Sequence, residues 1–156
     1  MPESTPHPGR GIVTGVTAGL IAGAIIDAYA FAAIFVIAGG VDVVREYQYT
    51  AAILIGKIAL TDPAYAWLGL AAHFAISAVW GAGYVYAAAR APQVDAYPLV
   101  SGIVYGGVVY LLTLLFGLAS TAQHVPEIST LGNGVIGYTL FFGVPIALMS
   151  RAWRNA

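Results

Sequence analysis

Ionisable side chains are scarce in this chain: seven carboxylates, six Lys or Arg and three histidines among 156 residues, with no cysteine. Two of them, Asp27 and His73, fall inside long apolar runs, and there their types could do chemistry. A carboxylate held within hydrocarbon costs about 2.5–3.5 kcal/mol on insertion scales, so it should face other helices and find a partner. His73 is the natural one. Asp27 lies 17 residues beyond Arg10, and His73 lies 17 residues before Arg90. At ~1.5 Å per helical residue both come ~25 Å from a charged helix end, so two antiparallel helices would bring them to one level. Such a pair can act in two ways. As a buried hydrogen bond it fixes the register of two helices. As an acid–base pair it takes up and releases a proton, since an unperturbed histidine titrates at about pH 6.5.

Other chemistries are short of residues. Without cysteine there are no disulfides, thiolate nucleophiles or thiolate metal sites. A bis-histidine haem needs two facing histidines, but His7 lies in the N-terminal tail, His73 in an apolar run and His124 in a connection. One Asp and one His are too few to close a metal site. Ser77 stands one turn from His73 and superficially suggests a hydrolytic triad with Asp27, yet no oxyanion device accompanies it. Gly-Asn-Gly at 132–134 and Gly-Ala-Gly at 81–83 are turn and packing patterns and do not cradle phosphate. A net charge of −1 offers no basic face to nucleic acid. No catalytic residue, metal or cofactor is expected, and the chain does not read as an enzyme.

The elements that must position Asp27 and His73 are membrane helices. The chain is 60% hydrophobic and 8% charged, against roughly 25% charged in a soluble domain, and its mean hydropathy is +0.83. The first apolar run extends from Gly11 to about Gly40 and is interrupted only by Asp27. A helix of that length is ~45 Å long, more than the ~30 Å hydrocarbon core, so it should tilt or project. Ala28-Tyr29-Ala30 loosely resembles a signal cleavage site, but the run continues past it and reads as a span. Thr61-Asp62-Pro63 announces a second helix from Pro63 to Ala89 that stops at Arg90. A third span runs from Tyr97-Pro98 to about Thr121. A fourth starts between Pro126 and Asn133, ends at Arg151 and should bend at Pro145.

Residues 41–60 are too polar at their start for a crossing and are broken by Lys57. They read as an interfacial or re-entrant helix, with Tyr47 and Tyr49 at headgroup depth; the alternative is a short fifth span that inverts the downstream topology. The expected fold is therefore all-α: a membrane-embedded bundle of four transmembrane helices with one extra helix between the first and second. It forms a single domain over 11–156 behind a disordered tail, 1–10. Arg10, Arg90, Arg151 and Arg154 fall on one side and Arg45 and Lys57 on the other, which places both termini in the cytoplasm.

Spacing by four suggests how the first two spans meet. Gly11, Gly15, Gly19 and Gly23 lead in register to Asp27, while Gly69, His73, Ser77 and Gly81 share the interval on the second span. Small residues at that spacing let helix backbones approach closely, so Gly15, Gly19, Gly23, Gly69, Ser77 and Gly81 are candidate packing positions. Spans three and four carry ordinary interface residues, with Tyr110 and Asn133 near the Asp27 level.

GLIAGAI at 19–25, LTDPAYAWLGLAAHFAISAVWGAGYVYAA at 60–88 and the closing SRAWR together resemble the YagU-like family of small bacterial inner-membrane proteins. The resemblance covers about two-thirds of the chain. It implies a glycine-rich first helix, a polar excursion and a second helix carrying the pattern His73, Ser77, Gly81, Gly83 and Tyr84. The long soluble excursion of that family is missing here, and the third span has no histidine. The resemblance implies an inner-membrane location and a link to acid stress. Two functions are thus expected of this chain in its lipid bilayer. One is a structural or accessory subunit that assembles with itself or a larger membrane complex through glycine-rich faces. The other is a proton- or ion-responsive carrier or channel built on Asp27 and His73.

Overall fold

A computed structural model describes residues 8–121 and 128–154. Its elements are α1 (Pro8–Ala38), α2 (Val43–Ile55), a 3₁₀ turn (Gly56–Leu60), α3 (Tyr65–Arg90), α4 (Pro92–Ala96), α5 (Pro98–Thr121), α6 (Ile128–Ile136), a π-helical stretch (Gly137–Gly143) and α7 (Val144–Arg154). The last three run on as one continuous helix. Four stretches are long and apolar enough to cross a membrane: Gly11–Val36, Tyr65–Arg90, Pro98–Ala119 and Leu131–Trp153. Many of their large apolar side chains face outward, among them Val79 and Phe116 at 69% and 60% exposure, as befits a surface solvated by lipid. This is an all-α, multi-pass membrane bundle.

Several boundaries differ from expectation. Helix α1 already includes Pro8–Arg10, assigned above to the disordered tail; residues 1–7 lie outside the described residues, as does His124. Proline is tolerated in a first helical turn because its missing N–H has no partner there anyway. At the other end Gly39, at φ +72°, stops α1 while its N–H bonds the Phe35 carbonyl at 2.9 Å. The α-helical part of α3 begins at Tyr65, not Pro63, because Asp62 Oδ1 accepts from the Ala64 N–H at 2.8 Å and the lead-in turn is wound tightly. Pro92–Ala96 forms a short helix where a plain loop was expected. Ahead of Pro145 the last span widens into seven π-helical residues, which eases the clash between the proline ring and the carbonyl four residues back.

Backbone contacts set the topology. A Cβ on Gly15 would lie 2.7 Å from Ala82 Cα, one on Gly19 would overlap the Ser77 carbonyl, and one on Gly23 would meet Ser77 Oγ at 2.8 Å. Gly81 in turn abuts the Gly15 carbonyl. Numbers that rise along α1 fall along α3, so these helices are antiparallel and touch backbone to backbone. A crossing by residues 41–60 would have made them parallel; the excursion leaves and returns at the same end of the bundle. Buried Gln48 closes it by donating from Nε2 to the Ala59 and Asp62 carbonyls at 3.0 and 2.9 Å, and Arg45 Nη1 donates to the Leu60 carbonyl at 2.9 Å.

The second pair repeats the device. A Cβ on Gly102 would sit 2.8 Å from Val144 Cα, Gly106 abuts the Tyr138 carbonyl, and Gly143 abuts the Gly102 carbonyl. The two pairs join through a core of Ala22, Ile26, Tyr84, Val109, Phe142 and Ile146. Tyr29 of α1 stacks on Phe141 with ring centroids 4.2 Å apart.

Candidate functional site

The crossing of α1 and α3 ends, at the Asp62 end of the bundle, in its only ionisable contact among the described residues. His73 Nε2 lies 3.2 Å from Asp27 Oδ1. The same nitrogen lies 3.2 Å from the Gly23 carbonyl, one turn back on α1. A hydrogen on Nε2 would be donated to the Gly23 carbonyl, with Asp27 Oδ1 at ion-pair distance from the same nitrogen. Gly23 is part of this geometry: a Cβ there would come 3.4 Å from His73 Nε2 and 2.8 Å from Ser77 Oγ. Asp27 and His73 are each almost a fifth exposed, so the pair is held within the bundle without being sealed.

A third element completes the site. Tyr47 of α2 donates from its hydroxyl to Asp27 Oδ2 at 2.8 Å, the carboxylate oxygen that His73 does not face. This contact was not among the expectations for Tyr47. Its side chain turns inward beside the α2 face of Gln48 and Ala51, which docks on α3. Tyr49 does stay outside, 37% exposed, with the Arg45 guanidinium 5.2 Å from its ring centroid. Burial first, then the hydrogen bond to Asp27 and its charge, pushes the Tyr47 phenol up from its ordinary value, so it remains a donor.

The remaining sequence candidates divide between two faces. Gly15, Gly19, Gly23, Ser77 and Gly81 meet across α1 and α3. Gly69 does not join them; it receives the Tyr47 carbonyl and so positions α2. Tyr110 and Asn133 serve elsewhere, Tyr110 donating to the Leu131 carbonyl at 3.2 Å and Asn133 accepting from Tyr29 at 3.3 Å. Tyr138, read in sequence as an interface residue, lies within electrostatic reach of Asp27 and is hydrogen-bonded to Thr113. The sequence carries no signal for Tyr47 or Tyr138, since both depend on helix rotation about the long axis.

Beside the cluster is a cavity of about 500 Å³. It lies between α3 and α5, which do not pack closely along this stretch. Thr50 and Leu54 of α2 close one end, and Trp80, whose ring meets Tyr105 edge-on at 6.2 Å, stands toward the other. His73 belongs to both the cavity wall and the Asp27 cluster.

Chemically, a carboxylate with a phenol donor on one oxygen and an imidazole facing the other forms an acid–base couple. A second proton on the ring would create an imidazolium facing the carboxylate at 3.2 Å, a partly desolvated ion pair. No group of three or more potential metal ligands occurs among the described residues. The chain matches no family model, no curated protein and no solved structure.

Proposed function

We propose that this chain is a proton-responsive membrane protein in which the Asp27–His73 pair, tied to α2 through Tyr47, takes up and releases a proton. The observation that carries the reading is the 3.2 Å contact between Asp27 and His73 with Tyr47 on the second carboxylate oxygen. Intramembrane ionisable residues are costly, and a site assembled from three helices beside an open cavity gives that cost a use. Charge asymmetry supports both termini being cytoplasmic, with Arg90 and Arg151 toward one end and Arg45, Lys57 and three carboxylates toward the other; a bacterial inner-membrane location rests on the resemblance alone. The resemblance of residues 60–88 to the YagU-like family, with its implied tie to acid stress, points the same way.

A structural or accessory subunit, acting as a scaffold and not as an enzyme, is the other expectation. It would have to dock through surfaces other than the glycine stripes, because Gly15, Gly19, Gly23 and Gly81 already contact the chain's own helices. The test is the protonation of His73 followed by NMR in lipid. A ring that changes protonation between roughly pH 4 and 8, with a midpoint moved by Asp27→Asn, supports the proton-responsive reading. A ring neutral throughout that range overturns it. A scaffold would keep its assembly and function with Asp27→Asn combined with His73→Gln, whereas a proton-coupled protein would lose its pH dependence.

A further inference from the structure

The cavity between α3 and α5 has a lining that selects its occupant. Most of its wall is apolar or aromatic, and no Lys, Arg, Asp or Glu lines it among the described residues. Its volume of about 500 Å³ falls within the ~300–1,000 Å³ typical of small-molecule sites. The lining residues Ile76, Val79 and Phe116 are exposed on helices long and apolar enough to cross a membrane, where their surroundings would be lipid. Polar groups are few and uncharged apart from His73: Thr50, Ser77, Thr113 and Tyr138. Most of these hydroxyls are engaged, Thr113 with Tyr138 and Thr50 with the Glu46 carbonyl at 3.4 Å. Ser77 differs. It is only 3% exposed, lines the cavity, and makes no hydrogen bond among the described residues. Its hydroxyl is not among the sealed, unsatisfied ones and so keeps some open surface, through which it can pair with a ligand that both donates and accepts.

We propose that this cavity binds an uncharged, single-chain, lipid-soluble molecule with a hydroxyl head. The head pairs with Ser77, and the chain leaves between Ile76 and Phe116 into the bilayer. An anionic head finds no cation in the wall. A cationic head finds its only nearby carboxylate, Asp27, behind His73 with both oxygens occupied. A hydroxyl both donates and accepts, matching a wall whose polar groups are themselves hydroxyls. This goes beyond proton exchange and does not depend on it.

The test uses the full chain in lipid nanodiscs and the fluorescence of Trp80, which lines the cavity. Trp67 and Trp153, 76% and 41% exposed, are replaced by Phe so that Trp80 is the sole reporter. The probes are a terminally brominated long-chain alcohol and the fatty acid and alkyl-trimethylammonium of the same length, each quenching on contact. The expected result is saturable quenching by the alcohol, at lower concentration than by either charged probe. Ser77→Ala should weaken alcohol binding about fivefold, the worth of one hydrogen bond. Ala75→Phe, which fills the cavity from an exposed position, should remove the saturable component. Quenching that rises linearly with all three probes and ignores Ala75→Phe means ordinary lipid contact and overturns the proposal. Tighter saturation by a charged probe overturns it too, and alcohol binding indifferent to Ser77→Ala overturns the assignment of the head. Asp27→Asn should leave alcohol binding intact, so loss of the His73 titration and loss of the site are told apart.

Discussion

The α1–α3 crossing and the crossing of α5 with the last span are built alike and used differently. In each, glycines remove side chains so that a helix backbone rests on the carbonyls of its antiparallel partner, Gly19 on Ser77 and Gly106 on Tyr138. Followed toward the Asp62 end, the first crossing arrives at Asp27 and His73. The second arrives at Tyr110, whose ring fills the space over Gly134. Both stripes end in polar contacts, but only the first ends in ionisable side chains that face each other. The packing solution and the polar contact are therefore separable: close glycine contact supplies alignment, and the residue placed one turn further decides whether the alignment brings ionisable groups together.

The equivalence of the glycine contacts is the easiest part of the comparison to break. Gly19→Leu and Gly106→Leu each drive a side chain into a backbone carbonyl that cannot move aside, and each should destabilise by about 3 kcal/mol or more, read as loss of thermal stability in detergent. If one is harmless, the two crossings are not built alike. The stripe ends should then diverge. Asp27→Ala strips Tyr47 and His73 of their acceptor and should cost about 1–3 kcal/mol, whereas Tyr110→Phe removes one neutral bond to the Leu131 carbonyl and should cost about 1 kcal/mol. Equal losses would mean that the charged end carries no special structural weight.

The smallest effect sharpens the contrast at α2, an element the second crossing lacks. Burial, then the neighbouring Asp42 carboxylate, pushes Glu46 up from its ordinary value of 4.5. A carboxyl raised in the folded state binds more protons there than in the unfolded chain. Its contribution is thus complete below 4.5 and lost as pH rises through the folded value. Hydrogen exchange of α2 should slow, after correction for the intrinsic pH dependence, as pH falls from 7 towards about 4.5, and Glu46→Gln should abolish that change.

The spans, their order and the common depth of Asp27 and His73 could be read from residue counts, because a helix rises by a fixed ~1.5 Å per residue and hydrocarbon thickness bounds its length. The four-residue stripe was legible for the same reason. Tyr47 was not, since which side of α2 faces the bundle is set by Gly69 and Gln48 acting from distant positions. Gly69 itself fits the periodicity of the α3 stripe and yet serves another helix; periodicity gives a face, not the identity of what covers it. The glycine contacts of Gly102, Gly106 and Gly143 passed as ordinary interface residues because no ionisable group marks that face.

The partnership of Asp27 with residues of α2 and α3 also has a meaning for the order in which the chain is made. Asp27 leaves the ribosome 20 residues before Tyr47 and 46 before His73. When α1 first enters the bilayer its carboxyl therefore has neither partner, and the ~2.5–3.5 kcal/mol insertion cost of an acidic residue falls on the apolar length of that helix alone. The 26 residues of Gly11–Val36, with a mean hydropathy of 2.0, must carry that cost until Tyr47 and then His73 are made. The polar contacts of Asp27 are thus the last part of the first hairpin to become possible as the chain is made.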